Sequence, residues 1–112
     1  MKIYHCIQEL IDELADLNWD SAIFVNQIAW VDAPQSAEIL LLEGDDELED
    51  VAPGTHLPKI AKNNGMRQLL DTETFRGVVN FEKKRNPAAP VEDIIFVVNF
   101  YREKDDFYAP RR

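Results

Sequence analysis

Carboxylate side chains are concentrated in one short part of the sequence. Six of the eight residues from Glu43 to Asp50, the acidic stretch, are acidic. Alternating oxygen ligands of this kind bind Ca²⁺ in EF-hand loops, but a loop that began at Asp45 would need glycine where Asp50 stands and glutamate where His56 stands. Close carboxylates also act as acid–base pairs when burial separates their pKa values, whereas a run of adjacent acids normally stays in water. The pattern excludes an EF-hand and favours a solvated surface.

Histidine and cysteine, the usual metal ligands and nucleophiles, are scarce in this chain. His5, His56 and Cys6 are the only three, and none lies in a spaced ligand motif such as HExxH or CxxC. A Cys6–His56 nucleophile is conceivable but has no local signature. The four glycines are isolated, so no glycine-rich phosphate loop is present. The sequence predicts a protein without a catalytic residue, a metal or a cofactor.

The charge of the chain is divided unevenly between its halves. Residues 1–56 hold 13 acids and one base, whereas residues 57–112 hold 8 acids and 11 bases, which gives the net charge of −9. A field of that sign repels nucleic acid and attracts cationic partners. No apolar run approaches the length of a membrane span, and a single cysteine excludes an internal disulfide. We expect a cytoplasmic protein that binds neither nucleic acid nor membranes directly.

The first half of the chain changes from a helical to a strand pattern. The spacing of its apolar residues predicts a helix over 3–17. Short apolar segments at 21–26 and 38–42 suit strands. Residues 28–31 either continue the first of these strands or form another, which Pro34 would end.

Turn and cap residues divide the second half. The predicted elements are a helix over 57–64, an extended connector or third strand over 66–70, and a helix over 72–84. Gly65 suits the left-handed position that follows a helix, and Asp71 or Thr72 suits an N-cap.

The last apolar segment, VEDIIFVVNFY, fits either a buried strand or a helix by periodicity. Pro90 suits a first helical position, and Glu92 and Asp93 suit the positive end of a helix dipole, so we predict a helix over 90–103. The predicted fold class is α+β, with about four helices packed on a small, mostly antiparallel sheet. It forms one domain over residues 1–112.

Two segments of the second half, PKIAKNNGMRQLLDTETFRGVV (58–79) and NPAAPVEDIIFVVNFYREKDDFYA (86–109), resemble a family of small bacterial domains of unknown function. In that family a helix ending in AKENGL leads to LD and a capped helix, and an NP turn precedes a helix that ends in an aromatic pair and ND-F. The matching segments here are AKNNG, LD, NP, NFY and DDF. The resemblance implies helices in both segments.

The acidic character of the chain is similar to that of bacterial immunity proteins of contact-dependent growth inhibition and related polymorphic toxin systems. Many toxins of those systems are nucleases with cationic active sites, which an acidic protein can cover. The resemblance implies that this protein binds and neutralises a cognate toxin with a basic surface. The alternative is another interaction or regulatory module without catalytic activity, and an enzyme is the weakest hypothesis.

Residue types predict which part of the chain meets such a partner. We expect the acidic stretch to form the partner-facing loop, with Trp30 and the adjacent Asp32 as a second contact. Trp19 and Phe24 are expected in the core. The predicted partner-binding residues are Glu43, Asp45, Asp46, Glu47, Glu49, Asp50, Trp30 and Asp32.

Overall fold

A four-stranded antiparallel sheet lies at the centre of the computed structural model, which describes residues 2–44, 61 and 65–105. The strands are β1 (Lys2–Tyr4), β2 (Ser21–Val25), β3 (Ile39–Glu43) and β4 (Arg67–Asp71). They lie in the order β1-β3-β2-β4, and each neighbouring pair is antiparallel. Because Ser21 is paired with Glu43, the start of β2 and the end of β3 lie at the same end of the sheet.

The described residues contain four α-helices. They are α1 (Ile7–Asp12), α2 (Gln27–Asp32), α3 (Thr72–Arg85) and α4 (Val91–Lys104), and a 3-10 turn (Leu14–Asp16) follows α1. Helices and an antiparallel sheet together confirm the predicted α+β class.

Both faces of the central strands are buried. On one face Ile23 and Leu41 belong to a cluster that includes the buried residues of α1, α3 and α4. On the other face Phe24 and Leu40 pack in a second cluster, which also contains Met66. Burial on both faces explains why these strands are almost continuously apolar in sequence.

The two long helices confirm the predictions made from cap residues. The Asp71 carboxylate accepts a hydrogen bond from the backbone N–H of Thr74 at 3.3 Å, so Asp71 is the N-cap of α3. The last apolar segment is helical, as predicted, although Pro90 is the N-cap of α4 rather than its first residue.

The predicted helix over 3–17 is wrong at its start. Residues 2–4 form β1, in which Ile3 pairs with Leu40, and helical structure begins only at Ile7. The Glu9 carboxylate accepts a hydrogen bond from the backbone N–H of His5 at 2.8 Å, which satisfies a donor just before the helix. The apolar residues of β1 and α1 follow one another at the spacing that a single long helix would also show.

Residues 28–31 form part of α2 rather than a strand. The Asn26 side-chain oxygen accepts a hydrogen bond from the backbone N–H of Ala29 at 3.0 Å, so this N-cap turns the chain into a helix directly after β2. The open choice at 66–70 is decided in favour of a strand, because these residues enter β4. The predicted helix over 57–64 lies outside the described residues apart from Ala61, whereas Gly65 has the expected left-handed backbone, with φ of 68°.

Candidate protein-interaction surface

The structure describes only the first residue and the glycine of the predicted partner-facing loop. Glu43 ends β3 and is partly exposed, whereas Asp45, Asp46, Glu47, Glu49 and Asp50 lie outside the described residues. The Glu43 carboxylate accepts a hydrogen bond from Asn18 Nδ2 at 2.6 Å. This bond joins the beginning of the acidic stretch to the turn that precedes β2.

That turn, Asn18–Asp20, carries an exposed aromatic side chain and is called the Trp19 turn below. Trp19 is 74% exposed. The backbone N–H of Gly44 donates a hydrogen bond to the carbonyl oxygen of Asp20 at 3.3 Å, and Gly44 has a left-handed φ of 75°. The expectation of a core position for Trp19 is therefore wrong, and the side chain lies beside the start of the acidic stretch.

Hydrogen bonds from α3 hold the chain on the other side of this turn. Arg76 Nε donates to the carbonyl oxygen of Leu14 at 3.2 Å, and Arg76 Nη2 donates to that of Leu17. The Ser21 hydroxyl donates to the carbonyl oxygen of Asn18 at 2.6 Å and lies 2.6 Å from the hydroxyl of Thr72, the first residue of α3. The Trp19 turn is thus attached to rigid elements at both ends.

Two carboxylates lie near the hydroxyl of Tyr4 in β1. Burial, first, and then the neighbouring carboxylates of Glu13 and Glu43 raise the pKa of the Tyr4 hydroxyl above its usual range. Glu13 follows α1 and Glu43 ends β3, so two separate parts of the fold bring carboxylates to the same place.

Replacing Tyr4 by phenylalanine tests whether folding raises the pKa of this hydroxyl. The hydroxyl is buried without a well-placed hydrogen-bond partner among the described residues, so we expect Tyr4→Phe to raise the free energy of unfolding at neutral pH by about 1 kcal/mol. Because folding raises the pKa of the hydroxyl, the free energy of unfolding does not depend on this group below the ordinary pKa of 10.0. Above that pH the unfolded chain ionises more readily, so the folded state loses stability as the pH rises. Chemical unfolding at several pH values should show a shallower loss above pH 10 in Tyr4→Phe. Equal slopes in the two proteins would contradict the raised pKa of the Tyr4 hydroxyl.

The two residues of the second predicted contact, Trp30 and Asp32, differ in their exposure. Trp30 is only 3% exposed, and its Nε1 donates a hydrogen bond to Asn99 Oδ1 of α4 at 2.8 Å. A side chain so buried offers no surface to a partner, so Trp30 is a core residue and the prediction of an interface anchor is wrong. Asp32 is exposed at the end of α2, as the prediction requires. The Trp19 turn precedes β2 and α2 follows it, so Asp32 and the turn lie at opposite ends of that strand.

One buried acid lies apart from this surface. Glu82 of α3 is fully buried, and one of its oxygens forms an ion pair with Arg85 one helical turn later. The other oxygen has no hydrogen-bond partner in the part of the chain that the structure describes. Within the described ranges no three His, Cys, Asp or Glu side chains come together in a way that suits a metal ion. The same part of the chain has no helix of the length and apolar character that crossing a membrane requires.

A family model described as Domain of unknown function (DUF7716) matches residues 4–109. The chain belongs to this family. No curated protein and no solved structure matches it. Membership of DUF7716 confirms the prediction of an uncharacterised domain family.

Sequence reasoning missed Trp19 as a surface residue. The available signal was its position in Asn-Trp-Asp, between two polar residues that break the apolar pattern of the preceding helix. The sequence favours a surface position for Trp30 because this residue stands next to Val31 and Asp32, which are both exposed.

Proposed function

We propose that this DUF7716 domain is a bacterial immunity protein that binds and neutralises a cognate toxin, of the nuclease class, through an acidic surface. The observation that carries the proposal is the exposure of Trp19 beside the start of the acidic stretch. An exposed tryptophan is costly to leave in water and is enriched among the residues that dominate binding energy.

Charge and aromatic area have separate roles in this proposal. The acidic stretch attracts a basic toxin surface over a distance and raises the association rate. Trp19 then fills an apolar site on the toxin and lowers the dissociation rate. A nuclease active site is suited to such a partner because it is built to bind the phosphates of nucleic acid, whose charge the carboxylates imitate.

The experiment separates these two roles by measuring binding to the product of a neighbouring toxin gene. In one variant Asp45, Asp46, Glu47 and Glu49 are replaced by Asn or Gln, and in another Trp19 is replaced by alanine. The matched control neutralises four described, exposed acids elsewhere: Glu38, Glu92, Glu103 and Asp105.

Neutralising the acidic stretch should slow association by about 10-fold at low salt, and this difference should shrink as salt screens the wild type. Trp19→Ala should leave association nearly unchanged and speed dissociation by about 30-fold, which is the effect of a hot-spot residue. The control should bind like the wild type, since its acids are outside the surface. Unchanged association of the acidic variant at low salt would contradict the proposal. Binding without protection of growth would indicate another kind of interaction module.

A further inference from the structure

The outer face of α2 carries an apolar pair that no described residue covers. Ile28 is 74% exposed and Val31 is 72% exposed. Residues three apart lie on the same face of a helix, so the two side chains form one patch. The groove beside them has a volume of about 510 Å³ and reaches from α2 to Arg67 at the start of β4.

The two ends of this patch carry opposite charges. Asp32 is the last residue of α2. Arg67 lies near the other end of the helix, because it pairs with Val25 just before α2 and because Asn26 Nδ2 donates to the carbonyl oxygen of Gly65 at 3.3 Å. The side chains of Asp32 and Arg67 make no hydrogen bond or ion pair within the described residues, and both residues are exposed.

The position of Asp32 is unfavourable in the isolated chain. A carboxylate at the C-terminal end of a helix lies against the negative end of the helix dipole, and α2 has no basic residue in its last turn. A guanidinium group brought to this end from outside would relieve the repulsion. Arg67 of the same chain lies at the other end of α2.

We propose that the α2 face binds a second copy of this chain, with the two α2 helices antiparallel across a two-fold axis. In that arrangement Ile28 and Val31 meet the same residues of the other copy. Arg67 of each copy then reaches Asp32 of the other, so both ion pairs form at once. A two-fold interface requires a self-complementary patch, and an apolar centre between one acid and one base is such a patch.

Charge favours a second copy over the basic toxin as the occupant of this face. The patch has one acid and one base, so it can pair with its own copy and offers a cationic protein no net local attraction. Each chain carries a net charge of −9, so long-range repulsion weakens the dimer and added salt should strengthen it. The dimer should be weak, because two aliphatic side chains supply only part of the roughly 800 Å² per chain that stable interfaces bury. The Trp19 turn precedes β2 and α2 follows it, so the strand separates the two surfaces by roughly 17 Å.

Sedimentation velocity over a range of concentrations tests the dimer directly. The wild type should show a concentration-dependent monomer–dimer equilibrium. Val31→Asp should shift it fully to monomer, whereas Ile3→Asp, which places the same charge at a 52%-exposed position on β1, should leave it unchanged. Circular dichroism checks that each variant is folded.

Charge exchange identifies the contact. Asp32→Arg alone places two arginines together across the axis, and Arg67→Asp alone places two aspartates together, so each should weaken the dimer by about 10-fold. The double variant re-forms both pairs in reverse and should restore the dimer. A monomeric wild type at the highest soluble concentration would overturn the proposal, as would a dimer that resists Val31→Asp or a double variant that is not restored. Loss of toxin binding in Val31→Asp without any self-association would assign the face to a foreign protein instead.

Discussion

Trp30→Ala should lower the free energy of unfolding by about 3–5 kcal/mol, because a large buried side chain is lost and a cavity is left behind. The indole also joins α2 to α4 through its hydrogen bond to Asn99. Urea unfolding measures the loss, and Trp30→Phe should recover most of it because only the hydrogen bond and part of the ring volume are removed.

The matched control for this variant is Trp19→Ala, since Trp19 is 74% exposed. It should change the free energy of unfolding by less than about 0.5 kcal/mol. Fluorescence gives an independent check: the emission of Trp19→Phe, which retains only Trp30, should resist a soluble quencher, and that of Trp30→Phe should not. Equal stability losses in the two alanine variants would contradict the assignment of Trp30 to the core and Trp19 to the surface.

Arg76→Ala should lower the free energy of unfolding by about 2–3 kcal/mol. Two hydrogen bonds from a charged group to the carbonyl oxygens of Leu14 and Leu17 are lost, and the partly buried carbonyl groups must find water. Arg76→Lys should not restore this value, because an ammonium group cannot reproduce the planar fork that reaches both oxygens.

The same substitution should also affect binding, because Arg76 fixes the chain that leads into the Trp19 turn. We expect Arg76→Ala to speed dissociation from the proposed toxin partner even though Arg76 does not lie on the proposed surface. Arg102→Ala is a matched control, since Arg102 is exposed on α4 and has no described hydrogen bond. An Arg76→Ala protein as stable as the wild type would refute the structural role of these bonds.

The elements that sequence predicted well are those whose signals are local. Helices α3 and α4 have caps within four residues of their starts, and strands β2 and β3 are short apolar runs bounded by polar residues. In each case the residues that determine the element lie inside it or next to it, so no knowledge of distant contacts was needed.

The elements that sequence missed depend on distant partners. Strand β1 has only three residues and is stabilised by pairing with β3, almost forty residues later, so its own sequence gives no strand pattern. Helix α2 has a signal in its N-cap, Asn26, but the apolar residues from Ile28 to Val31, of which both end members are exposed, favoured a strand.

The candidate site shows the same division. The charge of the acidic stretch is visible in the composition, whereas the choice between the two tryptophans is made by packing. Trp30 is buried in a cluster that also contains residues of α4, whereas Trp19 is exposed on a turn whose flanking chain is held by hydrogen bonds with Arg76 and Glu43. In sequence, Asn99 is far from Trp30, and both Arg76 and Glu43 are far from Trp19.

The pairing of Ser21 with Glu43 has a consequence for how such a domain diversifies. The tryptophan is positioned by the sheet register, which a one-residue slip would destroy, whereas the charged residues that follow Gly44 stand between β3 and β4 in the sequence and take no part in the described strand pairing. Connections tolerate substitution and changes of length far better than paired strands do. Descendants of this chain can therefore exchange one set of charged residues for another while the aromatic group stays in place. A single ancestral scaffold could in this way follow a partner that changes its own surface.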